Sequence, residues 1–242
     1  MTAALLELDG VSKHFAGVRA VDELSFAVRV AEIVGLIGPN GAGKTTTLNL
    51  LTGFAAPDRG RITFVGEAIA GRRPHEVARR GMCRTFQVAR PFRDMTVLEN
   101  AMVGALSRTN DVRAASDTAR GVLARAGLEL RAAMRAGDLT TIDQRRLEVA
   151  RALATEPRLL LLDETMAGLN PAEVAVALAL LRRLREEGLT LVVIEHNVRA
   201  ITELCDRVIV LDHGQKIAEG TPDAVTRDAA VIAAYLGPDA DA

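Results

Sequence analysis

The stretch GPNGAGKT, residues 38–45, lies between a short aliphatic run, EIVGLI, and a segment of helical composition, TTTLNLL. That placement constrains the fold more than any other feature of the chain. It fits the spacing G-x-x-x-x-G-K-[ST], in which glycines let the backbone curl until successive N–H groups face one anion. A helix that starts there adds the partial positive charge of its N-terminus. Strand, loop and helix in this order predict a phosphate-binding loop carried on a buried strand. Gly38, Asn40, Gly41, Ala42, Gly43, Lys44, Thr45 and Thr46 are the expected nucleotide-contacting residues. Lys44 is expected to reach the β- and γ-phosphates, and the Thr45 hydroxyl to ligate Mg2+.

The remaining pattern places this loop in a larger sheet. LLELDGVSKHF and the alternating AVDELSFAVRV read as antiparallel strands, APDRG as a turn and RITFVG as a further strand. From about residue 96 to residue 154 the character is helical, in TVLENAMVGAL, the alanine-rich 111–127 and QRRLEVARALA. Strand and helix patterns then alternate through RLLLLD, a helix at 172–187, TLVVIEH, a helix at 197–205, and RVIVLD. Aliphatic runs separated by helices imply parallel strands covered on both faces. The expected fold is therefore α/β: a P-loop NTPase core, a mostly parallel sheet flanked by helices, with an N-terminal antiparallel β part and an inserted α-helical subdomain. One domain is expected over residues 1–242: 1–87 and 155–237 as the nucleotide-binding core, 88–154 as the helical subdomain and 238–242 as a tail.

Composition narrows the partners. A net charge of −1 supplies no basic field, so no nucleic-acid partner is expected. Cys83 and Cys205 lie far apart without C-x-x-C spacing and read as reduced thiols. MTAALLELDG lacks the features of a signal peptide, and no run reaches the ~18 apolar residues of a spanning helix. These features point to a cytoplasmic location.

A phosphate-binding loop needs a second metal carboxylate. In RLLLLDE, four leucines make a buried strand with Asp163 at its carboxyl end, where open α/β sheets bind ligands. Asp163 is expected to hold Mg2+, and Glu164 to orient or deprotonate the attacking water. His196 ends TLVVIEH at the same predicted sheet edge, within reach of a γ-phosphate. His14, His75 and His213 have no such placement, and Gln87 in RTFQ reads by itself as an ordinary polar loop residue.

Together these segments resemble the ATP-binding subunit of ABC (ATP-binding cassette) transporters over nearly the whole chain. In family order, GPNGAGKTT matches Walker A, TFQ the Q-loop, QRRLEVARAL the signature helix, LLLLDE Walker B, AGLNP the D-loop and IEH the switch histidine. The resemblance implies ATP and Mg2+ as cofactors, Phe15 stacked on adenine, and Gln87 facing both nucleotide and metal. It implies Lys44, Glu164 and His196 as catalytic groups, and Thr45, Gln87 and Asp163 about the metal. TVLENAMVG, AGLNP and IAEGTPDAVTRDAAVIAAYLG look most like uptake subunits for branched-chain amino acids, whose relatives serve urea and similar cargo. The implied partners are a second ABC ATPase subunit, identical or different, in a head-to-tail dimer, then transmembrane permease subunits and, indirectly, a substrate-binding protein. The implied location is peripheral, on the cytoplasmic face of the plasma membrane. Arg90, Pro91, Phe92 and Arg93 are candidates for permease contact.

The departures from the family pattern are informative. Leu139, Thr140, Thr141, Ile142 and Asp143 occupy the signature tip, with Ile142 at the position of the glycine. A β-branched side chain is expected to block close approach to a partner's phosphate, and Asp143 to repel it. Thr141 and Gln144 are expected to cap the helix. Ala31 replaces a glycine in the turn before EIVGLIG, and Asn197 an aspartate after His196. The chain is thus expected to hydrolyse ATP at its own loop when another chain supplies a good signature. A different P-loop enzyme is disfavoured, since a GTPase would carry N-K-x-D and none occurs. An ABC-type ATPase outside transport, or an ATP-binding regulatory subunit that does not turn over alone, stays open.

Overall fold

The computed structural model describes residues 4–86 and 90–236. The alternating segments at the start pair with each other as expected: β1 (Ala4–Phe15) and β2 (Val18–Arg29) form an antiparallel hairpin. β3 (Ile33–Ile37), fully buried, feeds residues 38–43 and α1 (Lys44–Leu51). β4 (Arg59–Phe64) and the two-residue β5 (Glu67–Ala68) complete a four-stranded antiparallel sheet, ordered β2-β1-β4-β5.

α2 (Pro74–Arg79) and the short β6 (Met82–Arg84) precede three helices. These are α3 (Val97–Ala105), α4 (Val112–Ala126) and α5 (Thr141–Leu153), which pack against one another. Thr96 and Glu99 close a capping box at the start of α3, so this helix opens where TVLE suggested. The alternation then resumes with β7 (Leu159–Asp163), α6 (Pro171–Glu186), β8 (Thr190–Ile194), α7 (Val198–Leu204) and β9 (Arg207–Asp212). β10 (Gln215–Gly220), α8 (Pro222–Val225) and α9 (Ala229–Leu236) end the described chain.

The second sheet runs β10-β9-β3-β8-β7-β6, parallel throughout except for β10, which pairs antiparallel with β9. Period-two alternation divides its side chains between two cores. Val34, Leu36, Leu159, Leu161, Val192 and Ile194 join a cluster with Leu6, Phe26, Leu48 and Phe64, under α1 and the antiparallel sheet. Ile33, Leu160, Leu162, Leu191 and Val193 join the other, with Val97, Leu147, Leu181 and Ile201 from the helices. The runs of aliphatics are unbroken because neither face meets water. By the same parity Asp163 follows Leu159 and Leu161 toward α1. The parallel, helix-flanked sheet with an antiparallel β part is the architecture expected from the sequence. β8 stops at Ile194, two residues before His196, so His196 stands beyond the strand and not at its last position.

Ala31 has φ of 57°, in the left-handed region that disfavours a Cβ. The turn persists because it is held twice: the Ala31 N–H donates to Thr190 Oγ1 (3.0 Å), and its carbonyl accepts from Arg185 Nε (3.1 Å). Restoring glycine relieves the strain while admitting more unfolded freedom. Ala31→Gly should therefore raise stability by about 0.5–1 kcal/mol, seen as a higher urea midpoint. An unchanged or lower midpoint would show that the turn carries no strain worth relieving.

Candidate functional site

The loop after β3 is shaped by glycines that nothing else can replace. Gly38 has φ of 149°, and a Cβ there would lie 2.0 Å from the Leu211 carbonyl oxygen; at Gly43 (φ 99°) it would lie 2.3 Å from that of Ala20. Gly41 is also left-handed, and no acidic side chain enters the first turn of α1. The helix therefore opens with its N–H groups and dipole uncompensated by any residue of its own first turn. Lys44 folds back over the loop, with Nζ donating to the Gly38 and Pro39 carbonyls at 2.6 and 2.9 Å. Burial holds its pKa below the ordinary lysine value, opposed by the charges of Glu164 and Asp163.

Around this loop runs an open cleft of about 390 Å3, lined among others by Val18, Asn40, Lys44, Thr45, Glu164 and His213. His213, which the sequence left unassigned, thus lies on the rim of the same cleft. No motif marks it, and only the β9–β10 turn brings it there. Phe15 pairs across the hairpin with Val18, and its ring is half exposed with Lys13 Nζ 5.3 Å from its centroid. It is not a core residue. Gly41, Ala42, Gly43 and Thr46 share the cleft wall.

The carboxyl ends of β7 and β8 supply the acids and the histidine. Asp163 lies opposite Ile194 in the register, and the next residue, Glu164, bonds its N–H to the Ile194 carbonyl at 2.9 Å. Glu164 adopts φ of 50°, a left-handed turn that swings its side chain out of line with the strand. Its Oε1 then meets His196 Nε2 at 2.7 Å. Two groups assigned separately from the sequence are thereby hydrogen-bonded to each other. Asp163 is almost wholly buried, and its Oδ2 accepts from Arg84 Nη2 at 2.6 Å. Asp163 and Thr45 line a second cavity, of about 520 Å3, with Arg84, Arg90, Phe92 and Arg151.

Two hydroxyl and carboxylate oxygens facing one space suit a hard divalent cation. Among the described residues no group of three or more His, Cys, Asp or Glu side chains could hold such an ion unaided. Gln87, the third expected metal-facing residue, lies outside the described residues, as do Val88 and Ala89.

Glu195, between Ile194 and His196, accepts the Met166 N–H at 2.8 Å and is buried. Burial, helped by the nearby charges of Glu164 and Asp163, pushes its pKa up to about 7. No sequence signal marks it, since an acid after a strand gives no sign of facing the protein.

The signature region corrects two expectations. Thr140, not Thr141, caps α5, its hydroxyl accepting the Asp143 N–H at 3.4 Å, while Gln144 Nε2 turns back to the Leu139 carbonyl. Asp143 does not present a bare charge to solvent. It is 3% exposed, bound by the guanidinium groups of Arg131 and Arg146 and by Thr140 Oγ1. Two cations around one anion remove the repulsion anticipated from the sequence. Ile142 is half-buried and β-branched, and it stands in the first turn of α5. Further along, Glu148 Oε1 accepts the Phe86 N–H at 2.9 Å, tying α5 to the segment before Gln87. Of the candidates for permease contact, Phe92 is half exposed beneath Arg151, whose Cζ is 5.5 Å from the ring centroid. Its backbone is held by buried Asn100 on α3.

A glycine-shaped loop between a central parallel strand and a helix, with Asp163 and Glu164 ending an adjoining part of the same sheet, defines a P-loop ATPase core. Comparison with known proteins gives the family. The ABC transporter pattern matches residues 21–167, and that of the branched-chain amino acid ATP-binding cassette transporters matches residues 215–240. The high-affinity branched-chain amino acid transport ATP-binding protein BraF of Pseudomonas aeruginosa is 39% identical over 98% of this chain and 99% of its own length. LivG of Salmonella typhimurium, described in the same terms, is 41% identical over the same shares. The lipopolysaccharide export ATP-binding protein LptB of Escherichia coli is 37% identical over 98% of both. A solved ATP-binding cassette of an ABC transporter in its ADP conformation superposes with a TM-score of 0.89, at 30% identity, covering 98% of this chain and 100% of that one. The chain belongs to the ABC transporter family, as an ATPase cassette.

The raised pKa of Glu195 has a consequence for stability. Its folded value, about 7, lies above the 4.5 of a free glutamate, so folding takes up a proton between these limits. Stability is favoured at low pH and declines as pH rises through that window, then levels off. Glu195→Gln mimics the neutral form and keeps an acceptor for Met166. It should be more stable than the parent above about pH 7 and lose that advantage near pH 4.5, measured by denaturant titration at each pH. An advantage that does not vary with pH would mean that Glu195 is not protonated in the fold.

Proposed function

We propose that this cassette hydrolyses ATP to power an importer for branched-chain amino acids or related amide or amino-acid cargo. The observation that carries the catalytic reading is the Glu164–His196 hydrogen bond beside the loop that holds Lys44. In this reading Lys44 and the loop N–H groups bind the β- and γ-phosphates, and Phe15 stacks on the adenine. Glu164 accepts the proton of the attacking water as its oxygen bonds to the γ-phosphorus, while the bond to the β–γ bridging oxygen breaks and ADP departs. His196 holds Glu164 in place and reaches the γ-phosphate. Thr45 and Asp163, with Gln87, would hold Mg2+, which supplies charge neutralisation to the phosphates.

An export-system relative is nearly as similar as the two uptake relatives, so the conserved cassette does not choose between them. The match over residues 215–240, at the end of the chain, is what favours the branched-chain group. Among the described residues no helix is long and apolar enough to cross a membrane. Cargo passage is therefore assigned to transmembrane permease subunits, with the cassette peripheral on the cytoplasmic face. The loop of Arg90, Pro91, Phe92 and Arg93 is the proposed contact. The core of 1–87 and 155–237 and the helical part of 88–154 are proposed as its two moving pieces.

The working unit in this reading is a head-to-tail dimer in which each ATP is completed by the signature of the other chain. This chain's own loop is complete, while Ile142 makes the signature it donates a poor one. A second reading rests on the same residue: in a pure homodimer the chain would bind ATP without sustained turnover. Both start from the same local test. Glu164→Gln should retain ATP binding and lower phosphate release in the assembled transporter by about 100-fold or more. Lys44→Ala should weaken ATP binding itself. Parental turnover by Glu164→Gln would remove Glu164 from its catalytic role.

A further inference from the structure

Arg84 takes no part in the roles assigned above, yet it touches two of the motifs that do and the helix that follows a third. It ends β6, three residues before Gln87, and its guanidinium forks. Nη2 binds Asp163 Oδ2 at 2.6 Å, and Nη1 binds Asn49 Oδ1 in α1 at 2.7 Å. Both members of the ion pair are buried, with side-chain exposures of 7% and 4%. The ring of Phe86 lies 5.5 Å from Arg84 Cζ, and Arg84 Nε is buried without a hydrogen-bond partner among the described residues.

We propose that Arg84 is a positioning residue of the divalent-cation site: by holding Asp163 Oδ2, and by anchoring itself on Asn49, it leaves Asp163 Oδ1 as the oxygen that meets the metal. The geometry calls for such a device. Asp163 is the last residue of its strand, and a carboxylate there can rotate to offer either oxygen, or both. Thr45, the other expected ligand, belongs to the same helix as Asn49. Arg84 therefore fixes the carboxylate relative to the element that carries the hydroxyl. A buried acid also needs a counter-charge when no cation is bound, and Arg84 supplies it. A point charge would satisfy that second need alone. The fork, with one arm on each of two elements, is what a planar guanidinium adds and an ammonium does not.

The proposal rests on the Mg·ATP reading of the site, and its test separates the two. ATP affinity is measured by isothermal titration with Mg2+ and with excess EDTA, and the ratio gives the gain due to the metal. Free Mn2+ is followed by electron paramagnetic resonance as a direct check on metal binding. Asp163→Asn should abolish the gain. If it does not, the metal reading fails and takes this proposal with it. Given that loss, Arg84→Gln should reduce the gain by about tenfold, the lower end of what residues behind a metal ligand cost. Arg84→Lys keeps the charge and should recover only part of it. Asn49→Ala, which removes one anchor and no charge, should lower the gain in the same direction and by less. It decides the matter should Arg84→Gln fail to fold. A full metal response in Arg84→Gln, parental behaviour of Arg84→Lys, or no effect of Asn49→Ala would overturn the positioning role.

Discussion

The parallel pairing of β3, β8 and β7 is the constraint from which the site follows. Gly35 lies opposite Val193, and Asp163 opposite Ile194, so the three strands run out together at one edge. At that edge β3 opens into a glycine loop whose tightest points, Gly38 and Gly43, press on the Leu211 and Ala20 carbonyls. Both faces of the sheet are covered by apolar side chains, so it is the acid at the end of β7 that marks the register: a slip of one residue would exchange Leu160 and Leu162 with Leu159 and Leu161 between the two cores. It would also turn Asp163 away from α1. Chemistry and core are thus held by one alternation.

What the sequence made legible follows from the same physics. Four leucines before an acid identify a strand buried on both faces and name its carboxyl end. The spacing of the glycines, Lys44 and Thr45 identifies the loop. Direction and pairing were less accessible. That Asp143 turns inward depends on Arg131 and Arg146, and only α5's position beside the segment 129–131 brings Arg131 within reach. That Asp163 leans on Arg84 depends on two neighbouring strands bringing together residues 79 positions apart in the chain. β5, β6 and β10 are short or sit at sheet edges, where alternation is too brief or too polar to stand out. Glu195 has no role marked by the IEH motif it sits in, and His213 lies in no motif: one is set by burial, the other by a turn.

The signature tip is where the chain departs from its family. Asp143 is accommodated, since two arginines and Thr140 satisfy it and the helix begins normally. In the proposed head-to-tail dimer Ile142 is not accommodated in the same way, because its Cβ and branches would stand where a partner's phosphate approaches, whatever the charge. On this proposal an own site with Lys44, Asp163, Glu164 and His196 in place coexists with a donated signature that is sterically poor. The proposed asymmetry lies within a single chain.

It is tested most directly by phosphate release per molecule against protein concentration, at saturating Mg·ATP, for the parent chain and for Ile142→Gly. The account predicts a low rate in the parent that does not climb with concentration, and a rate in Ile142→Gly that climbs and then saturates as chains pair. A parent rate that rises to the same plateau as Ile142→Gly would contradict it.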